Sequence, residues 1–96
     1  MNTAISRTRR PLAPQQTKVL VLIAKGYTNN EIMASLSIAR ATVTTHIRDI
    51  GMKTGIKSRV LLGYYALAHG IVTQDEIREA IQRDRKSTRD EMLWSN

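Results

Sequence analysis

Apolar residues recur at helical spacing along most of the chain, broken by short polar or glycine-bearing stretches. Pro14 suits the first turn of a helix. After it Val19, Leu20, Ile23 and Ala24 repeat at helical spacing as far as Gly26, a natural C-terminal stop. This predicts a first helix. The β-branched run VLVLI has a buried strand as its lesser alternative in isolation, but no second run with hairpin punctuation stands ready to pair with it. In TNNE, Thr28 and Glu31 have capping-box spacing, so a second helix is predicted to start near Asn29, with Ile32, Met33 and Leu36 on its apolar side. SLSIA then leaves room only for a tight turn before a third helix.

That third helix carries the stretch ARATVTTHIRD, whose three threonines and valine are poor helix formers. At about 100° per residue, Val43, Ile47, Ile50 and Thr54 form one inward stripe. Ala41, Thr45, Arg48 and Met52 stand on the opposite side, with Thr44 on its flank. This outward face is compact near the helix N-terminus and extends to one arginine, a profile that fits a DNA major groove about 12 Å wide. Arginine can bond O6 and N7 of guanine, and threonine offers a hydroxyl to base edges and a methyl to thymine. The plain alternative is a solvated helix face.

A fourth helix is predicted near residues 58–69. It is apolar nearly all round, with Val60, Leu61, Leu62, Tyr64, Tyr65, Ala66, Leu67 and Ala68, so one face seals the core and another is a candidate interface. TQDE supplies a second capping box, Thr73 with Glu76, ahead of an amphipathic helix bearing Ile77, Ala80 and Ile81. STRDEMLW reads either as a last turn anchored by Met92, Leu93 and Trp94 or as an unstructured tail.

Composition narrows the chemistry. Ninety-six residues with 42% apolar content make one small domain with a modest core and little stability margin by itself. Residues 1–72 carry ten basic and two acidic side chains, net +8, whereas residues 73–96 carry five basic and six acidic, net −1. A polycationic front suits a polyanionic partner, because each phosphate neutralised releases condensed counterions; a solvated basic surface is the alternative. Residues 1–11, MNTAISRTRRP, hold Arg7, Arg9 and Arg10 without apolar periodicity and are expected to be a basic arm. With no cysteine and two distant histidines, neither a disulfide framework nor a metal site is expected, and no cofactor. His46 and Asp49 could touch at i, i+3, but no serine or cysteine joins them, so no catalytic residue is expected. The longest apolar run, VLVLIA at 19–24, is far short of the roughly 18 residues of a membrane span, and no signal-peptide hydrophobic region is present. A soluble cytoplasmic protein is expected.

Residues 12–72 resemble the LuxR-type (GerE-like) helix-turn-helix domain. The resemblance rests on LAP opening helix one, VLVLIAKGYTNNEIM across helices one and two, SIARATVTTHIRDIGMKTGIKSR for the turn and recognition helix, and YALAHGIV closing helix four. It implies an all-α fold, a four-helix LuxR-type domain at 12–72; the residues themselves add the arm at 1–11 and, beyond the usual family end, an additional C-terminal helix in an extension at 73–96. The resemblance also implies that helix three enters the major groove, with Thr44, Thr45 and Arg48 at the base-reading positions, the face that the helical wheel selects independently. Phosphate contacts are implied at Thr28, Asn29, Thr42, Lys53, Lys57 and Ser58. Arg40 and Arg59 join them on charge and location. His46 matches a histidine that packs beside the core. Helix four is the usual dimer contact in the family, which points to Leu61, Tyr64, Tyr65 and Ala68, with Ile77 and Ile81 of the next helix extending the interface.

Five positions depart from the family pattern. Gln16 stands where an acidic residue is usual, Ser37 where glycine is common, and Ala39 at the customary Ser or Asp cap. A left-handed Ser37 and an uncapped Ala39 each cost about 1 kcal/mol. Gly51 and Thr54 replace larger apolar residues, so the reading helix is expected to be weakly held and to draw order from DNA, a dimer partner or the extension. The expected function is a sequence-specific double-stranded-DNA-binding transcriptional regulator, a homodimer on an inverted-repeat operator. The alternative is an interaction module that sequesters another transcription factor. No receiver domain, ligand-binding domain or Gly-rich phosphate loop precedes the domain, so the regulatory input is expected from abundance, a protein partner or the extension.

Overall fold

Val19, Leu20 and Ile23 are buried while Val21 and Leu22 are only half-buried, so the apolar run presents a helix face and not a strand, which would bury alternate residues. In the computed structural model, which describes residues 11–95 with side chains as far as 88, five helices follow one another: α1 (Pro14–Ala24), α2 (Asn29–Leu36), α3 (Arg40–Thr54), α4 (Arg59–Ala68) and α5 (Gln74–Ser95). No strand occurs among the described residues. The arm expected at 1–11 lies outside them except for Pro11.

One core joins the first four helices. Val19, Leu20 and Ile23 of α1 meet Ile32 of α2, Val43 and Ile50 of α3, Leu62 and Ala66 of α4, and Val72. α1 packs against both α3 and α4, and α2 packs against α3. Truncating one of these large buried side chains to alanine removes about 2–5 kcal/mol, a large share of the stability of so small a domain.

Local chemistry sets the helix limits. Thr28 Oγ1 accepts from the Glu31 amide at 3.2 Å and the Glu31 carboxylate accepts from the Thr28 amide at 2.8 Å, closing the expected capping box. α2 ends at Ser37, which adopts the left-handed conformation at φ 56° and ψ 49°. α3 starts after Ala39 with no side-chain cap, as expected, and ends on left-handed Gly55.

The second half of α3 is better held than its composition implies. The Thr54 hydroxyl, buried, donates to the Ile50 carbonyl at 2.8 Å and accepts from the Ile56 amide at 3.2 Å, so it satisfies the backbone where the chain leaves the helix. A Cβ on Gly51 would lie 3.1 Å from the Ile56 carbonyl oxygen, so glycine permits this close return. These two departures are adaptations of one turn, and the expectation of a weak helix is corrected there.

α5 also differs from expectation. It is one helix of 22 residues and not a short helix followed by a separate last turn or tail. The side chains of Met92, Leu93 and Trp94 lie outside the described residues. Its capping box forms, with the Thr73 amide donating to Glu76 at 2.9 Å and the Glu76 amide to Thr73 Oγ1 at 3.1 Å. The amide hydrogen bond from Thr73, aided by the Thr73 hydroxyl and Lys25, outweighs desolvation and holds the Glu76 carboxyl below its ordinary range. Ala80 is buried and Ile77 packs against the core.

Candidate nucleic-acid interface

Burial separates the two sides of α3 as the wheel requires. Val43, Ile50 and Thr54 are buried and Ile47 is half-buried, whereas Ala41, Thr42, Thr44, Thr45, Arg48 and Met52 are exposed. Arg48 lies 3.8 Å from Asp49; Arg48 is well exposed and Asp49 half-buried, so the pair is a loose surface contact that leaves the guanidinium free to swing outward. Asp49 therefore faces Arg48, and the structure shows no bond between His46 and Asp49. His46 Nδ1 is buried without a hydrogen-bond partner, in keeping with a packing role.

Beside α3, the start of α2 and the start of α4 come together. Arg59 donates to Asn29 Oδ1 at 2.9 Å and to the Tyr27 carbonyl at 2.6 Å. Arg40 donates to Asn30 Oδ1 at 2.6 Å, joining the first turn of α3 to α2. Ser58 caps α4, accepting from the Leu61 amide at 3.2 Å. A common logic runs through Thr28, Asn29, Asn30 and Ser58: the oxygen of each is engaged inside the protein. What remains on each is an O–H or N–H donor, and Arg59 keeps further guanidinium N–H groups beyond its two bonds. A phosphate accepts hydrogen bonds and donates none when ionised, so this surface has the polarity it needs.

Thr28, Asn29, Arg40, Thr42, Lys57, Ser58 and Arg59 thus lie on or beside the exposed side of the helix-turn-helix unit. Lys53 is placed differently. Its Nζ donates to Gln16 Oε1 at 2.8 Å and to the Pro11 carbonyl at 3.3 Å, so its ammonium turns back toward α1. Asn30 escaped the sequence reading, although the doubled asparagine of TNNE ten residues before Arg40 was its available signal.

The α4 candidates divide. Val60 (65% exposed), Leu61 (53%) and Tyr64 (63%) form an exposed apolar patch, with Ala68 also exposed, so Val60 joins the expected residues there. Tyr65 packs against the core with its ring 4.2 Å from that of His69, and Ile77 also packs inward. Ile81 is 49% exposed and lines an open groove of about 680 Å³ between α5 and the turn at Lys25, Gly26 and Tyr27.

Among the described residues no group of acidic residues and histidines could hold a metal, and no helix is long and apolar enough to cross a membrane. Residues 10–66 match the family described as bacterial regulatory proteins, luxR family. Transcriptional regulatory protein MctR of Rhizobium johnstonii is 38% identical over 74 residues, covering 77% of this chain and 35% of that protein. Response regulator protein VraR of Staphylococcus aureus is 36% identical over 61 residues, covering 64% of this chain and 29% of that protein. The chain spans about a third of the length of the curated relatives it matches. No solved structure matches it. With the family matched across all of α1, α2 and α3 and most of α4, the chain belongs to the luxR family of bacterial regulatory proteins, and its helix-turn-helix domain is a unit of DNA-binding transcription regulation and not an enzyme.

Proposed function

We propose that this protein is a sequence-specific double-stranded-DNA-binding transcriptional regulator that works in the cytoplasm as a homodimer on an inverted-repeat operator. The observation that carries the reading is the exposed α3 face of Thr44, Thr45 and Arg48 beside a surface whose side-chain oxygens are engaged within the protein, leaving donors that suit an anion. α3 reads bases in the major groove, while Thr28, Asn29, Arg40, Thr42, Lys57, Ser58 and Arg59 hold the backbone on either side. Lys53 is left out of this set because its ammonium is turned to Gln16 and Pro11.

Dimerisation through α4 is supported by the exposed patch of Val60, Leu61 and Tyr64, which one small core leaves uncovered. Two-fold symmetry places two recognition helices on one DNA face, with half-sites about 34–36 Å apart. Selection of bound sequences from a random duplex pool tests the reading as a whole: an inverted-repeat motif is expected. Recovery of no enriched sequence would shift the balance to the second reading, a module that sequesters another transcription factor through the same α4 patch.

A further inference from the structure

α5 lies beyond the family match at residues 10–66, yet it is fastened to the turn from which the phosphate-facing residues begin. Lys25 Nζ lies 3.8 Å from the Glu76 carboxylate. Nearly two helical turns further along α5, the Arg83 guanidinium sits 5.0 Å from the centre of the Tyr27 ring. The Tyr27 carbonyl, in turn, is one of the two acceptors that hold Arg59, the other being Asn29 Oδ1. Tyr27 is thus gripped by its ring from α5 and by its carbonyl from α4, and the next two residues are Thr28 and Asn29.

Resting on the DNA-binding reading, we propose that α5 positions the phosphate-facing group, with Arg83 as a positioning residue that acts through Tyr27 on Arg59 and Asn29. A guanidinium over an aromatic face is an attraction that needs no exact hydrogen-bond geometry, so it holds the ring while the turn keeps its backbone bonds. Holding Tyr27 fixes one of the anchors of Arg59 before DNA arrives. The side chain then forfeits less conformational freedom on meeting a phosphate. The connection α1–α2 is only Lys25 to Thr28, too short for the turn to move without moving the start of α2.

The test compares the wild type with Arg83→Ala, Arg83→Lys, Tyr27→Leu, Arg59→Gln and the double variant Arg83→Ala/Arg59→Gln, binding a mixed-sequence duplex at several salt concentrations. Arg83→Ala and Tyr27→Leu are expected to weaken binding about three- to tenfold and to reduce the salt slope by about one. Arg83→Lys is expected to restore most of the loss. Because both act through Arg59, Arg83→Ala is expected to add little on top of Arg59→Gln. Additive losses would mean that Arg83 meets DNA directly, and an unaffected Tyr27→Leu would remove the intermediary; either overturns the proposal. Amide hydrogen exchange at Tyr27 to Glu31 in the free protein keeps the question separate from DNA binding itself. Exchange is expected to quicken in Arg83→Ala and to recover in Arg83→Lys, and unchanged exchange overturns the proposal even if the duplex is not the partner.

Discussion

Lys53 Nζ and Gln16 Oε1 meet at 2.8 Å, tying the last turn of α3 to the first turn of α1. The same oxygen accepts from the Ala13 amide at 3.0 Å, so one buried carboxamide both starts α1 and restrains the end of the recognition helix. Gln16→Ala leaves two donors without their partner and is expected to lower stability by about 1–3 kcal/mol, measured by urea unfolding. Lys57, exposed in the next turn, provides the contrast. Lys57→Gln is expected to reduce the salt slope of DNA binding by about one, whereas Lys53→Gln leaves the slope near that of the wild type. A reduction for Lys53→Gln as large as that for Lys57→Gln would show that Lys53 releases Gln16 to reach a phosphate.

Arg48 is expected to read a base, since it is exposed on the outer face of α3 and its only ion pair among the described residues is the loose one to Asp49. Arg48→Ala should cost about 1–3 kcal/mol on the selected operator and flatten preference at one base pair per half-site. A uniform loss on every duplex would assign Arg48 to the backbone.

Ser37 is the only non-glycine residue with positive φ among the described residues. Ser37→Gly relieves that strain and is expected to raise stability by about 1 kcal/mol, read as an increase in Tm of about 4–8 °C. A fall in Tm would mean that the serine side chain makes a stabilising contact.

Leu61 and Tyr64 are exposed on α4, while Tyr65 is part of the chain's own packing. Leu61→Lys and Tyr64→Lys are therefore expected to give folded monomers with much weaker operator binding, and Tyr65→Ala to lower stability. Sedimentation at matched concentrations separates the cases. A wild type that remains monomeric even on operator DNA would rule out the dimer.

Glu76 has a folded-state pKa below its ordinary 4.5, chiefly because of the Thr73 amide. For a carboxyl shifted this way, the stabilisation is complete above the ordinary value and is lost as pH falls through the folded value. Circular dichroism is expected to show α5 losing helicity in acid below pH 4.5, with Glu76→Gln showing a smaller change over that window.

Much of the fold is legible in local signals. Pro14, the two Thr–Glu capping boxes and Gly26 each act within a few residues, and the division of α3 into faces follows from helical periodicity alone. α4 was harder to read because Tyr64 and Tyr65 are equally apolar, and only packing decides that one faces solvent and the other the core. The continuity of α5 was hidden too: between Gln82 and Thr88 no apolar position marks a period. At the candidate site, the outward face was legible, but the engagement of Arg59 by Asn29 and of Lys53 by Gln16 spans 30 and 37 residues and depends on tertiary packing.

The proposed reading face is uneven in reach. Thr44 and Thr45 are short and lie toward the beginning of α3, while Arg48 is long and stands one turn further on. A helix axis parallel to the groove floor would leave the threonines stranded above the bases while the arginine was pressed against them. Contact by all three requires a tilted approach, with the N-terminal end of α3 deepest. In the proposed complex the small Ala39 and Ala41 at that end would act as clearance, letting the helix tip sink between the two strands.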